Sequence, residues 1–338
     1  MSLIELVLAL AAILAAAALF TNAIEILGER LNLGEGAVGS VLAAVGTALP
    51  ETMIPLIAIF GALIFGGDAA AAGEIGVGAI LGAPFLLATL AMFVAGVAAY
   101  GYRRRRGSGR EITMERATAI RDLGFFLVFY TIAAGVGVLR LPFLLKLLVV
   151  VVLIAAYVLY VLRTLKAEGG TEGEAPSRLT LWPKGSAPTW AVVAQVVGSL
   201  VVMAAGAHFF VDAVEHGSKA LGIPAGLIAL ILAPLATELP EKVNSVLWLK
   251  NDKDTLALGN ITGAMVFQST IPVSLGIAFT PWVLEPLNLL SVVLALISGG
   301  LVFYMLRRSK PIQIPYLLAG GALYGVFVIA AVFNVVFL

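Results

Sequence analysis

The chain has 338 residues, of which 61% are hydrophobic and 12% charged, with a formal net charge of +1 and no cysteine. A water-soluble domain carries roughly 45–50% apolar and about 25% charged residues, so a soluble fold is excluded and lipid is the natural solvent. The near-neutral charge argues against a nucleic-acid partner, and the absence of thiols excludes disulfides and thiolate metal centres.

A helix crosses the hydrocarbon core with about 20 apolar residues, and the apolar runs predict ten such spans. The first covers 3–27. Its run Leu3–Ile24 lacks the basic start and small-residue cleavage site of a signal peptide and reads as a mature helix. The second, 36–65, carries Gly46-Thr-Ala-Leu-Pro-Glu51. The third, 74–101, contains Gly78-Ala-Ile-Leu-Gly-Ala83 and runs into Arg103–Arg106. Spans over 119–138 and 141–163 complete the first half. A solvated stretch rich in Gly, Glu, Ser and Pro, Lys166–Pro188, follows. The later spans are 190–214, 223–249 with Ala236-Thr-Glu-Leu-Pro-Glu241, 255–279 with Gly259-Asn-Ile-Thr-Gly-Ala264, 283–306 and 313–337.

Lys and Arg concentrate in alternate loops: Arg30; Arg103–Arg106 with Arg110, Arg116 and Arg121; the central linker; Lys250 and Lys253; Arg307, Arg308 and Lys310. The opposite loops carry chiefly Arg140 and Lys219. Positive residues stay in the cytoplasm, so the reading is a multi-pass cell-membrane protein with both termini outside. The Arg103–Arg106 run reads as a topology signal.

The halves repeat. Phe20-Thr-Asn-Ala-Ile-Glu25 aligns with Phe210-Val-Asp-Ala-Val-Glu215 at an offset of 190, and the same offset brings Thr47–Glu51 onto Thr237–Glu241 without a gap. The Gly-rich segments align at 181, after a loop nine residues shorter. Five spans per half is an odd number, so the second half enters the membrane inverted. The expected fold is all-α and integral to the membrane, with ten transmembrane helices as two inverted five-helix repeats. The repeats occupy 1–163 and 190–338, joined by a cytoplasmic linker over 164–189.

In such architectures the substrate site lies where corresponding interrupted helices meet near the midplane. Pro50 and Pro240 interrupt the second and seventh spans, freeing the carbonyls of Gly46 and Ala236. In hydrocarbon a freed carbonyl needs protein, water or an ion. Glu51 and Glu241 follow the prolines, and Thr47 and Thr237 precede them. Carboxylates, carbonyls and hydroxyls are hard oxygen ligands suited to Ca²⁺, and two glutamates neutralise one divalent ion. Acidic residues at mid-span are functional candidates, weighed here against structural pairing, which Lys242 beside Glu241 would supply. Glu238 stands where the first half has Ala48. It lies one turn from Glu241 and reads as a proton carrier, a further cation ligand or the partner of Lys242. Gln268 on the eighth span joins the candidate ligands. Gly78, Gly82, Gly259 and Gly263 read as packing residues. His208 and His216 are not spaced as metal ligands, and Asp212 and Glu215 read as interfacial.

The paired Gly46–Glu51 and Ala236–Glu241 motifs, with Gly259–Ala264 after the second, resemble the α-repeats of the Ca²⁺/cation antiporter superfamily. That superfamily includes the sodium/calcium and proton/calcium exchangers. The resemblance implies a sodium/calcium exchanger-like fold and alternating access, with spans one and six sliding against the rest. It implies exchange of Ca²⁺ for an inward-moving H⁺ or Na⁺, with no cofactor and no enzymatic activity. The implied partners are the lipid bilayer and the transported cations, and the expected unit is a monomer. It assigns Ca²⁺ ligation to Glu51 and Glu241, with Thr47, Thr237 and the carbonyls of Gly46 and Ala236 lining the site. Departures are specific. Ala48 and Glu238 replace the serine that sodium/calcium exchangers place before Leu-Pro-Glu, and Gly82-Ala-Pro84 and Gly263-Ala-Met265 replace Gly-Ser-Asn. The Gly-Asn-Ala-Val-Glu pattern of many proton/calcium exchangers is absent too, so the chain resembles a divergent branch. Competing readings keep the fold with Mg²⁺, Mn²⁺ or a monovalent ion as cargo, or make the chain a cation channel. An intramembrane hydrolase is disfavoured because no motif such as His-Glu-x-x-His occurs.

Overall fold

Backbone amides in hydrocarbon must find partners within the protein, which leaves helices as the building element for apolar runs of this length. The computed structural model describes residues 3–30, 43–65, 68–107, 111–112, 114–167, 178–182, 185–308 and 312–337. Within them the helices are α1 Leu3–Arg30, α2 Ala43–Phe65, α3 Ala69–Leu86, α4 Met92–Tyr102, α5 Arg116–Leu139 and α6 Phe143–Ala167. They continue as α7 Thr189–Leu221, α8 Ala225–Lys250, α9 Asp254–Gln268, α10 Ile271–Phe279, α11 Pro286–Arg307 and α12 Ile314–Phe337. A π-turn, Leu87–Ala91, joins α3 to α4 into one continuous rod.

Eight of these spans are long and apolar enough to cross a membrane, counting α3–π–α4 and α9–α10 once each. The other two helices, α2 and α8, hold shorter apolar stretches, Ala48–Gly61 and Ala225–Glu238. Residues 31–42, part of the predicted second span and the site of Gly36, lie outside the described residues, as does 168–177 of the linker.

The α3 rod forms the centre. Every residue from Ile75 to Thr89 is buried, as expected of a helix apolar on all sides. Small residues bring it close to α8: a β-carbon on Gly78 would collide with the carbonyl oxygen of Gly226, and one on Gly82 with that of Leu230. The Leu230 carbonyl has lost its helical partner, because Pro234 lacks an N–H, so a proline-freed acceptor abuts a glycine. Packing is thus the role of Gly78 and Gly82. The equivalents of Gly226 and Leu230 at the 190-residue offset fall at 36 and 40, outside the described residues. Around this centre α1 packs along α7, α2 lies against α3 and α7, α11 against α5, and α12 against α4. Helix α6 is peripheral, with Leu144, Leu148 and Val151 turned outward.

At the end bearing the basic loops, side chains tie distant segments. Arg106, 0% exposed, reaches both carboxylate oxygens of Asp254 at 2.8 and 2.6 Å and the Glu111 carbonyl at 3.1 Å. Arg116 donates to the carbonyls of Leu306 (2.7 Å) and Arg307 (3.1 Å). Two short strands, β1 Glu111–Ile112 and β2 Ile312–Gln313, pair antiparallel with Glu111 opposite Gln313. Among the described residues the fold is therefore helical except for this two-residue ladder and an isolated bridge between Leu179 and Trp182. Arg106 is also more than a topology signal, because it is a buried staple where Arg104 and Arg105 are exposed.

Candidate cation site

The helical backbone of α2 continues through Pro50 and Pro55, and that of α8 through Pro234 and Pro240. The prolines therefore remove hydrogen bonds without ending the helices, which differs from the interruption expected from sequence. Two threonine hydroxyls bond back to carbonyls one turn earlier, neither of them a carbonyl that a proline has freed. Thr52 Oγ1 donates to the Ala48 carbonyl at 2.8 Å, and Thr237 Oγ1 to that of Ala233 at 3.1 Å.

Glu51 on α2 is 9% exposed and accepts a hydrogen bond at Oε2 from the side-chain amide of Gln268, itself 1% exposed. The two residues are 217 apart in sequence, so this contact joins the predicted first and second halves. Gln268 is the last residue of α9. The helix stops there because Pro272 follows within a turn, and Ser269 and Thr270 cap it. Ser269 Oγ bonds the Val266 carbonyl at 3.0 Å, and Thr270 Oγ1 bonds Val266 (2.9 Å) and Phe267 (3.1 Å). The sequence predicted one unbroken span over 255–279. The Ser269-Thr270-Ile-Pro272 run was the signal for this break.

The first half is distorted at the matching place. Gln268 and Thr270 less the 181-residue offset give Leu87 and Thr89, which fall in the π-turn. There the widened helix turns carbonyls aside: Thr89 Oγ1 takes the Phe85 carbonyl and Ser298 Oγ takes that of Ala88 at 2.6 Å. π-Turns inside helices concentrate at functional positions.

On α8, Glu238 is 0% exposed and its Oε2 lies 3.3 Å from the ammonium of Lys242, one turn on. Thr237 is buried, Ala236 half-buried. The helical position of Glu241 lies between Glu238 and Lys242, and Gly46 and Thr47 lie in the first turn of α2. The side chains of Glu241, Thr47 and Asn244 are outside the described set. Among the described residues no three acidic or histidine side chains converge on one point. The carboxylates described here are Glu51 and Glu238.

Residues weighed elsewhere behave differently. His208 Nε2 lies 3.6 Å from Asp212 Oδ2, His216 Nδ1 lies 2.7 Å from the Asp212 carbonyl, and Lys219 pairs with Glu215, all on one outer stretch of α7. One buried acid escaped the sequence reading. Asp122 on α5 is 2% exposed and accepts from Tyr160 of α6 (2.8 Å), Thr262 of α9 (2.9 Å) and Arg121 (3.2 Å). It sits six residues into a helix, next to an arginine, and no motif in the sequence singled it out.

A family model described as sodium/calcium exchanger protein matches residues 1–166 and 191–336. Over 133 residues the chain is 26% identical to CaxA of Alkalimonas amylolytica, which is named as a candidate antiporter; the match covers 37% of this chain and 42% of that one. Among solved structures, the backbone resembles the H⁺/Ca²⁺ exchanger CAX, with a TM-score of 0.70 at 20% identity over 98% of this chain and 82% of the other. It resembles YfkE with a TM-score of 0.67 at 13% identity, over 97% and 90% of the two chains. For the sodium-calcium exchanger NCX_Mj the TM-score is 0.57 at 20% identity, over 96% and 97%. At these identities the structural likeness is one of fold.

Proposed function

The chain belongs to the sodium/calcium exchanger protein family, and from that premise we propose that it is a secondary active antiporter moving Ca²⁺ against H⁺ or Na⁺. Membership makes it a membrane transporter of cations. The observation that carries the proposal is the meeting of Glu51 on α2 with Gln268 at the end of α9, a contact between the two predicted halves.

We assign the Ca²⁺ shell to the carboxylates of Glu51 and Glu241, the oxygens of Thr47, Thr237 and Gln268, and the carbonyls of Gly46 and Ala236. Glu238 supplies a further oxygen. A flexible shell of about six to eight hard oxygens is what Ca²⁺ takes. The two-glutamate charge matches one divalent ion, so neither the loaded site nor the site refilled by two monovalent cations leaves net charge in hydrocarbon. Alternating exposure of one such site to the two sides gives obligatory exchange.

The architecture proposed for this cycle is ten spans in two inverted repeats, 1–163 and 190–338. The linker 164–189 is cytoplasmic, both termini lie outside, and one chain is the working unit. Two helices that carry the Pro-Glu motifs complete the count beyond the eight long apolar spans.

Ca²⁺ flux in sealed proteoliposomes, driven by a Na⁺ gradient or a pH gradient imposed separately, tests the reading. The expectation is uptake that depends on one of these gradients. Ca²⁺ flux that runs equally without either would point to a channel and overturn it.

A further inference from the structure

Resting on the exchanger reading above, we propose that Lys242 is a tethered monovalent cation of the transport site, and that it fixes how many free counter-ions exchange for each divalent ion. Glu238 and Lys242 lie one turn apart on α8, with Nζ 3.3 Å from Oε2 and side chains 0% and 6% exposed. They flank Pro240 and Glu241, so the pair sits within the acid-bearing turn itself.

The first half shows why the two should be read as a unit. At the 190-residue offset Glu238 falls on Ala48 and Lys242 on Thr52. There Thr52 donates its hydroxyl to the Ala48 carbonyl, and neither charge is present. Acid and base thus occur together in one half and are missing together in the other. Either charge alone would be strongly disfavoured in a water-free interior, whereas the matched pair adds no net charge.

Two further observations keep the ammonium in place. Its stem lines an apolar pocket of about 210 Å³ with Leu86, Leu90, Val94 and Val246, next to the π-turn. Neither oxygen of Glu238 has a hydrogen-bond partner among the described residues; Oε2 is the one nearer the ammonium, which leaves Oε1 to a second cation. The pair therefore presents a ligand oxygen without presenting a charge.

The consequence is a count. Glu51, Glu238 and Glu241 look like a three-carboxylate site, which would call for three monovalent charges on the return leg. With Lys242 holding one of them permanently, one divalent ion is matched by two monovalent cations. Exchange is then electroneutral. No bond is made or broken by Lys242; it acts as a fixed charge.

The full-length protein in proteoliposomes tests this by radiocalcium flux measured together with charge movement under clamped membrane potential. For the wild type, two monovalent charges per Ca²⁺ and no net current are expected. Lys242→Met should raise the ratio to three and make exchange current-carrying, while Lys242→Arg keeps the wild-type ratio. Glu238→Gln removes the negative charge 3.3 Å from the ammonium, and should weaken Ca²⁺ at least about tenfold. Glu238→Gln/Lys242→Met should restore affinity to within about threefold and also the wild-type ratio, which controls for folding. An unchanged ratio in an active Lys242→Met, or a double variant no better than Glu238→Gln alone, overturns the inference and leaves the exchanger reading standing. A wild type that moves no Ca²⁺ under either gradient removes both.

Discussion

Replacing Asp254 with asparagine probes the join between the loop after α4 and the start of α9. One guanidinium nitrogen of Arg106 lies 2.6 and 2.8 Å from the two oxygens of Asp254, whose side chain is 1% exposed. The same guanidinium meets Asp252 only through Nε at 3.8 Å, and Asp252 is 42% exposed. The two aspartates are thus a buried and a solvated partner of one buried cation. Removing one member of a buried pair leaves an uncompensated charge and costs about 3–5 kcal/mol. An exposed pair contributes about 0–1 kcal/mol. Asp254→Asn should therefore destabilise several times more than Asp252→Asn in equilibrium unfolding with a denaturing detergent in mixed micelles. Because the cost comes from the stranded charge, Arg106→Met/Asp254→Leu should recover most of it. Equal effects of the two asparagine variants, or a double variant as unstable as Asp254→Asn, would refute the assignment of Arg106 as a staple.

Gln268→Leu removes the donor that fixes Glu51, and should lower Ca²⁺ affinity about tenfold, read by calorimetry on purified protein, since a hydrogen bond to a charged group is worth about 1.5–3 kcal/mol. Gly82→Ala places a methyl against the Leu230 carbonyl, and should cost about 1–3 kcal/mol by the same unfolding assay. Gly73→Ala, with open space at its β-position, should be neutral or slightly stabilising. Asp122→Ala removes the acceptor of the Tyr160 hydroxyl and leaves Thr262 Oγ1 with the Gly259 carbonyl at 3.4 Å; a loss of about 1–3 kcal/mol is expected, and Tyr160→Phe should cost less.

Much of the helical layout was legible because an apolar run of membrane length admits few alternatives. The runs around 74–101, 190–214 and 283–306 all became helices, with their ends shifted by local signals. Asp68, for example, starts α3 five residues early by accepting from the amides of Ala70 (3.0 Å) and Ala71 (3.2 Å). The Pro-Glu motifs and the two repeat offsets were legible too, since spacing survives even where side-chain identity diverges. Three features were not. Whether Pro50 and Pro240 stop their helices depends on what surrounds the freed carbonyls, and sequence does not carry that. The π-turn at Leu87–Ala91 depends on Ser298, 210 residues from Ala88, supplying a hydroxyl. Arg106 and Asp122 looked like surface charges because their partners, Asp254 and Thr262, come from a distant helix. The charge balance of the site also changed in meaning. Glu238 alone made the second half look more acidic, but with Lys242 at 3.3 Å the two halves carry equal net charge in this turn.

The central claim is that Glu51 and Glu241 together hold the transported divalent ion. Radiocalcium exchange by Glu51→Gln and Glu241→Gln in sealed proteoliposomes, under whichever gradient drives the wild type, tests it most directly. Each substitution is predicted to abolish exchange while the protein stays folded and monodisperse. Wild-type exchange in both variants would contradict the site and the account built on it.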